Sequence, residues 1–187
     1  GESTPEYVRN SNLDYSPKNN IDSIPQDIII GLGHNRLSII DISENGHQPM
    51  SYRTTQCTIV FNGEIYNHHS LRDELVTLGY DFISQCDTEV ILAAYDNWGI
   101  ECLQHFKGMF AFALFDPRRK HLFLARDRAG EKPLFYSHSD GTIKFGSELK
   151  ALMADVSFER RLSPRAMDMY LGMGYITDAD CILAGVH

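Results

Sequence analysis

The sequence predicts an α+β layered domain. Short β-branched and aromatic runs bracket two amphipathic helical segments, and the later runs follow one another through hairpin-like connections. At 187 residues, 43% hydrophobic and 22% charged, the chain is long enough to bury one sizeable core.

Residues 1–26 carry Ser, Asn, Asp, Pro and Lys with only scattered apolar side chains, so they are read as a flexible arm or loop. From Asp27 the character changes. Ile28, Ile29 and Ile30, then Leu37, Ile39, Ile40 and Ile42, form short apolar stretches around Gly31 and Gly33 that predict two strands or one bent strand. Cys57 to Phe61 is a compact apolar run. Asn62-Gly63 directly after it is a turn signal, so a strand is expected to end there.

Leu71, Leu75 and Leu78 recur at helical spacing before Gly79, which predicts a helix over 70–78. A second helix is expected from an N-cap at Asp87 to Gly99, with Val90, Ile91, Ala94 and Trp98 on one face. Residues 108–115 carry large side chains at 110, 112 and 115 with smaller ones between, as a strand packed on both faces would. Further strands at 121–125, 134–138 and 142–146 read as an antiparallel meander turning at 127–130 and 139–141. Short helices are expected at 148–153 and 164–171, the latter capped by Ser163 with Pro164 in its first turn.

The formal net charge of -8, with acidic and basic residues interspersed, offers no basic stripe for a phosphate backbone, which argues against nucleic acid. Cys57, Cys86, Cys102 and Cys181 form no CxxC pair and suit a reducing compartment. No apolar run approaches the roughly 20 residues of a membrane span. The expectation is a soluble, cytoplasmic protein with no membrane partner and no metal site.

Several residues could carry chemistry. Asn62 offers a side-chain amide and Gly63 a backbone N–H, a donor pair suited to an oxyanion hole, although a plain hairpin turn explains the dipeptide as well. Arg36, Glu64 and Asp87 supply a guanidinium for an α-carboxylate and carboxylates for an α-ammonium, yet three unrelated surface charges would read the same way. Cys86 stands at the expected helix start, where its thiol pKa would fall, but no histidine neighbours it in sequence to act as base. His68-His69 reads as a solvated helix start, since adjacent residues point to different faces.

The ordered motifs are more specific than any single residue. They are Gly-Leu-Gly-His-Asn-Arg-Leu-Ser-Ile-Ile-Asp over 31–41, Gly-His-Gln-Pro-Met over 46–50 and Phe-Asn-Gly-Glu-Ile-Tyr-Asn over 61–67. Asp-Thr-Glu-Val-Ile-Leu follows from 87, Gly-Met-Phe-Ala-Phe-Ala-Leu from 108, Arg-Asp-Arg-Ala-Gly-Glu-Lys-Pro-Leu-Phe-Tyr from 126 and Gly-Ser-Glu-Leu-Lys-Ala-Leu from 146. Together they resemble the class II glutamine amidotransferase domain of asparagine synthetases, an N-terminal-nucleophile hydrolase, over about residues 28–187.

The resemblance implies a four-layer αββα sandwich of antiparallel sheets. It implies a domain over 27–155 and an extension over 156–187 leading towards a synthetase domain. In that family glutamine is split to glutamate and ammonia, and the ammonia serves ATP-dependent amidation of aspartate. Carried over by matching residues, Arg36 would hold the glutamine α-carboxylate, Glu64 and Asp87 would engage its α-amino end, and the backbone at Leu37, Ile39 and Ile40 would line the pocket. Asn62 and Gly63 would form the oxyanion hole. Partners implied are glutamine, the synthetase domain and a second copy in a homodimer. No cofactor is expected in this chain, ATP and Mg belonging to the synthetase domain.

The family's mature enzymes begin with a cysteine whose own α-amine serves as base, followed by Arg-Gly-Pro-Asp, and neither feature occurs in these 187 residues. The expectation is therefore a chain that begins inside a longer product, lacks an N-terminal strand and helix, and lacks the nucleophile. A silent glutamine-binding or interaction module, and an amidotransferase acting on another carboxylate acceptor, are the competing readings.

Overall fold

The computed structural model describes residues 7–8, 19–20, 30–35, 46–177 and 179–187. The expected strands around Ile28 and Leu37 to Ile42 lie largely outside them. The elements are strands β1 (Tyr7–Val8), β2 (Asn19–Asn20), β3 (Met50–Ser51), β4 (Thr58–Ile65), β5 (Gly108–Asp116), β6 (His121–Arg126), β7 (Phe135–Ser139) and β8 (Thr142–Gly146). The helices are α1 (His68–Thr77), α2 (Asp87–Trp98), α3 (Leu149–Met153) and α4 (Pro164–Met173), with a 3-10 segment at Gly99–Gln104. This is a mixed α+β chain whose elements fall into two compact units, Gly1–Gly108 with Phe112–Ala125, and Met109–Ala111 with Arg126–His187.

In the first unit the apolar run starting at Cys57 becomes β4, with Thr58 through Phe61 buried. It pairs antiparallel with β3 in a sheet ordered β3-β4-β5-β6, with Met50 opposite Ile59 and Ser51 opposite Thr58. Contrary to the turn expectation, β4 does not end at Asn62; it runs on through Glu64 to Ile65. β1 and β2 form a separate two-residue parallel pair.

Helix α1 buries Leu71 and Leu75, whereas Leu78 sits past the helix end and is exposed. Helix α2 is buried at every residue from Asp87 to Tyr95 and packs against both α1 and β4. From Val90 to Ala94 its branched side chains and alanines leave no polar face, the composition of a central helix. Each fully buried side chain among Ile59, Ile65, Leu75 and Leu92 contributes about 1.5–3 kcal/mol relative to exposure. At the end of β5, Asp116 is fully buried and accepts hydrogen bonds from Arg118 and Arg119.

In the second unit the expected meander breaks: β7 and β8 form their own two-stranded antiparallel sheet. The cause lies in the preceding loop. The Asp127 carboxylate accepts from the N–H groups of Ala129, Glu131 and Lys132 and from that of Phe110, while Arg126 donates to the carbonyls of Gly130 and Lys132. These bonds fold the chain on itself after β6. Leu152, Cys181, Leu183 and Val186 form the unit's small core, packed with Phe135, Leu149 and Phe158. Helix α4 starts as read: the Ser163 hydroxyl accepts from the Ala166 N–H at 3.3 Å, with Pro164 in the first turn. Among the described residues no helix is long and apolar enough to cross a membrane.

Candidate functional site

Strand β4 is buried at both ends but half-buried at Asn62, Gly63 and Glu64, so it presents one short window. Gly63 has φ 151°, a conformation that a side chain at this position would strain. Along one edge of the strand, acceptors come from side chains rather than from a neighbouring strand. The Phe61 N–H donates to Gln48 Oε1 at 2.5 Å, and the Ile65 N–H donates to Asp87 Oδ2 at 2.9 Å. Because N–H groups alternate along a strand, that of Gly63 falls on the same edge, between these two.

Asp87 is the first residue of α2 rather than its N-cap, a place taken by Cys86. From there its carboxylate takes the Ile65 N–H as well as N–H groups of the helix's own first turn. Burial pushes the Asp87 pKa up and the neighbouring Glu64 charge adds to this, while the N–H groups of Ile65, Asp87 and Thr88 oppose it. The Glu64 charge thus acts on Asp87 at one end of the window, and an ammonium group there would offset the cost of ionising Asp87.

The loop leading into α2 is tied down from both sides. Glu89 accepts from the N–H groups of Ile83 and Ser84 and from the Ser84 hydroxyl, the last at 2.6 Å. Arg72 on α1 donates to the carbonyls of Ser84 and Cys86 and lies 4.3 Å from the Phe82 ring centroid. Just past the window, the Asn67 side chain donates to His105 O and accepts from Lys107 N, both at 2.9 Å. These bonds hold β4, α1 and α2 around Asp87.

Of the residues read from the sequence, Asn62, Gly63, Glu64 and Asp87 come together here, whereas Arg36, Leu37, Ile39 and Ile40 lie outside the described residues. Gln48 joins the former as a support that the sequence does not mark. It belongs to the Gly-His-Gln-Pro-Met motif, but nothing in that motif signals a contact 13 residues along the chain. Two chemical expectations change. The Cys86 thiol is pushed up by burial rather than lowered by the helix end. His68 begins α1 but is buried and its pKa is lowered, by burial first and then by His69 and Arg72, so only His69 of that pair is solvated.

All four cysteines are buried and free. Burial also raises the Cys57 thiol and pushes that of Cys102 up to about 12, which makes these groups poor nucleophiles at neutral pH. Among the described residues no cluster of His, Cys, Asp and Glu could hold a metal ion.

A family model described as a glutamine amidotransferase domain matches residues 21–187. Asparagine synthetase [glutamine-hydrolyzing] 3 of Bacillus subtilis is 43% identical over 144 residues, covering 76% of this chain and 23% of that protein. A putative asparagine synthetase [glutamine-hydrolyzing] 2 of Methanocaldococcus jannaschii is 37% identical over 163 residues, covering 79% of this chain and 31% of its own length. The chain thus spans between about a quarter and a third of these curated relatives. Among solved structures, glutamine phosphoribosylpyrophosphate amidotransferase from B. subtilis aligns with a TM-score of 0.56 at 22% identity, over 70% of this chain and 30% of that one. That likeness is one of fold, the fold anticipated for an N-terminal-nucleophile hydrolase.

Proposed function

We propose that this chain, which belongs to the glutamine amidotransferase domain family, is the glutamine-recognising portion of an asparagine-synthetase-type enzyme. Glutamine lies along the β4 window. Asn62 and Gly63 donate to the oxyanion that forms at its side-chain amide, Glu64 and Asp87 engage its α-ammonium, and Arg36 holds its α-carboxylate beside the backbone of Leu37, Ile39 and Ile40. The observation that carries this reading is the hydrogen bond between Asp87 and the Ile65 N–H, which brings the second carboxylate to the end of the strand that bears the donor pair.

The hydrolytic step needs a thiolate to attack the amide carbonyl, a proton delivered to the departing ammonia, and water to release glutamate from the thioester. None of the four buried cysteines suits the attacking role, so the nucleophile comes from outside these 187 residues. The released ammonia serves amidation of aspartate in an ATP- and Mg-dependent synthetase domain of the same protein. The names of the relatives, glutamine-hydrolysing asparagine synthetases, support that assignment.

The test is a pair of measurements on the full-length protein. Glutamine titrated calorimetrically should bind, and ammonia should be released from glutamine in the absence of aspartate. Binding without release would favour a silent glutamine-binding module, and no binding would end the reading.

A further inference from the structure

Gly108, the first residue of β5, stands against the window rather than in it. A Cβ at this position would lie 2.1 Å from the Glu64 carbonyl oxygen, 3.0 Å from Ile65 Cα and 3.1 Å from the Glu64 carbonyl carbon. All three are backbone atoms and cannot swing aside as a side-chain tip would. The close approach is held from both directions. Asn67 grips His105 O and Lys107 N directly before Gly108, the Tyr66 N–H donates to Lys107 O at 2.8 Å, and Asp87 holds Ile65 N on the opposite edge. Glu64 is thus fixed between a carboxylate on one edge of its strand and a bare backbone on the other.

We infer that Gly108 is a positioning residue for the α-amino end of the substrate. By carrying no side chain it lets β5 rest on the Glu64 carbonyl, and this sets the direction of the Glu64 carboxylate and its separation from Asp87. The inference rests on the reading of Glu64 and Asp87 as the ammonium-binding pair. Any side chain at 108 drives the two strands apart at Glu64, so recognition of the ammonium suffers more than recognition of the rest of glutamine. Gly172, on α4, has open space around its would-be Cβ, so the constraint at Gly108 is local and not a general property of the chain's glycines.

The experiment compares ammonia release by the full-length protein from glutamine and from its deamino analogue, 5-amino-5-oxopentanoate, as a ratio of kcat/KM. The unaltered protein should favour glutamine roughly tenfold or more, the scale of a lost charge-assisted hydrogen bond. Gly108→Ala should bring the ratio towards one. Asn67→Ala, which adds no atom and only frees the segment before Gly108, should lower it part of the way, and it decides the matter if Gly108→Ala does not fold. A purely structural defect would lower both rates together and leave their ratio intact. An unchanged ratio in a folded Gly108→Ala protein, or in Asn67→Ala if the former is unfolded, overturns the inference alone. An unaltered protein with no preference for glutamine overturns the functional reading, and the inference with it.

Discussion

Asp87 Oδ2 accepts the Ile65 N–H at 2.9 Å, a bond between the first residue of α2 and the last residue of β4. It satisfies a buried backbone donor with a side chain whose own ionisation is disfavoured by burial and by Glu64. A buried N–H could be satisfied by a neutral acceptor at lower cost, so a carboxylate here fits a site that receives a cation.

The stability consequences of Asp87 separate its two roles. Asp87→Ala leaves the buried Ile65 N–H without its acceptor and should cost about 1–3 kcal/mol, whereas Asp87→Asn keeps an oxygen acceptor and should cost less. The raised carboxyl pKa gives a sign as well. The folded state holds the proton more tightly than the unfolded one, so the contribution of Asp87 to stability falls as pH rises from the ordinary value of 3.8 through the raised value. Denaturant unfolding of both proteins across that window should show the unaltered protein losing ground to Asp87→Asn as pH rises.

Within the window, Asn62 and Gly63 should behave as groups used mainly in the transition state. Asn62→Ala should lower kcat for ammonia release by about 100-fold or more with little change in KM. Gly63→Ala forces a Cβ onto a backbone at φ 151° and should in addition cost roughly 1–3 kcal/mol of stability, read from a thermal melt.

Asp127 gives the opposite pH signature. Burial opposes its ionisation, but N–H donors from Glu131, Lys132, Phe110 and Ala129 outweigh burial and hold its pKa below 3.8. Asp127→Asn turns one oxygen into a donor facing two of those N–H groups and should cost about 2–4 kcal/mol at neutral pH. The advantage of the unaltered protein is complete above 3.8 and should shrink as pH falls from there through the lowered value. Paired melts at pH 7 and at progressively lower pH check this.

Much of the framework is legible in the sequence because hydrophobic period and caps speak directly: α2 from Asp87 to the glycine at 99, β5 from its large side chains with smaller ones between, and α4 from Ser163 and Pro164. The course of β4 is not. Asn62-Gly63 is a strong local turn signal, but pairing in the sheet and the close pass of Gly108 over Glu64 keep the chain extended to Ile65. The supports of the site are equally silent in sequence. Gln48, Glu89 and Arg72 look like ordinary polar residues until the fold hands each of them backbone groups from elsewhere in the chain. The same holds for the rise in the Cys86 thiol, since a helix start is visible in sequence and the depth of its burial is not.

The central claim is that Asp87 and Glu64 recognise the ammonium of glutamine at the end of the β4 window. Calorimetric titration of glutamine into the full-length protein and into its Asp87→Asn variant tests it most directly. The account predicts an affinity lowered roughly tenfold or more in the variant, on the scale of one charge-assisted hydrogen bond, with the fold intact by circular dichroism. Equal affinities in two equally folded proteins would contradict it.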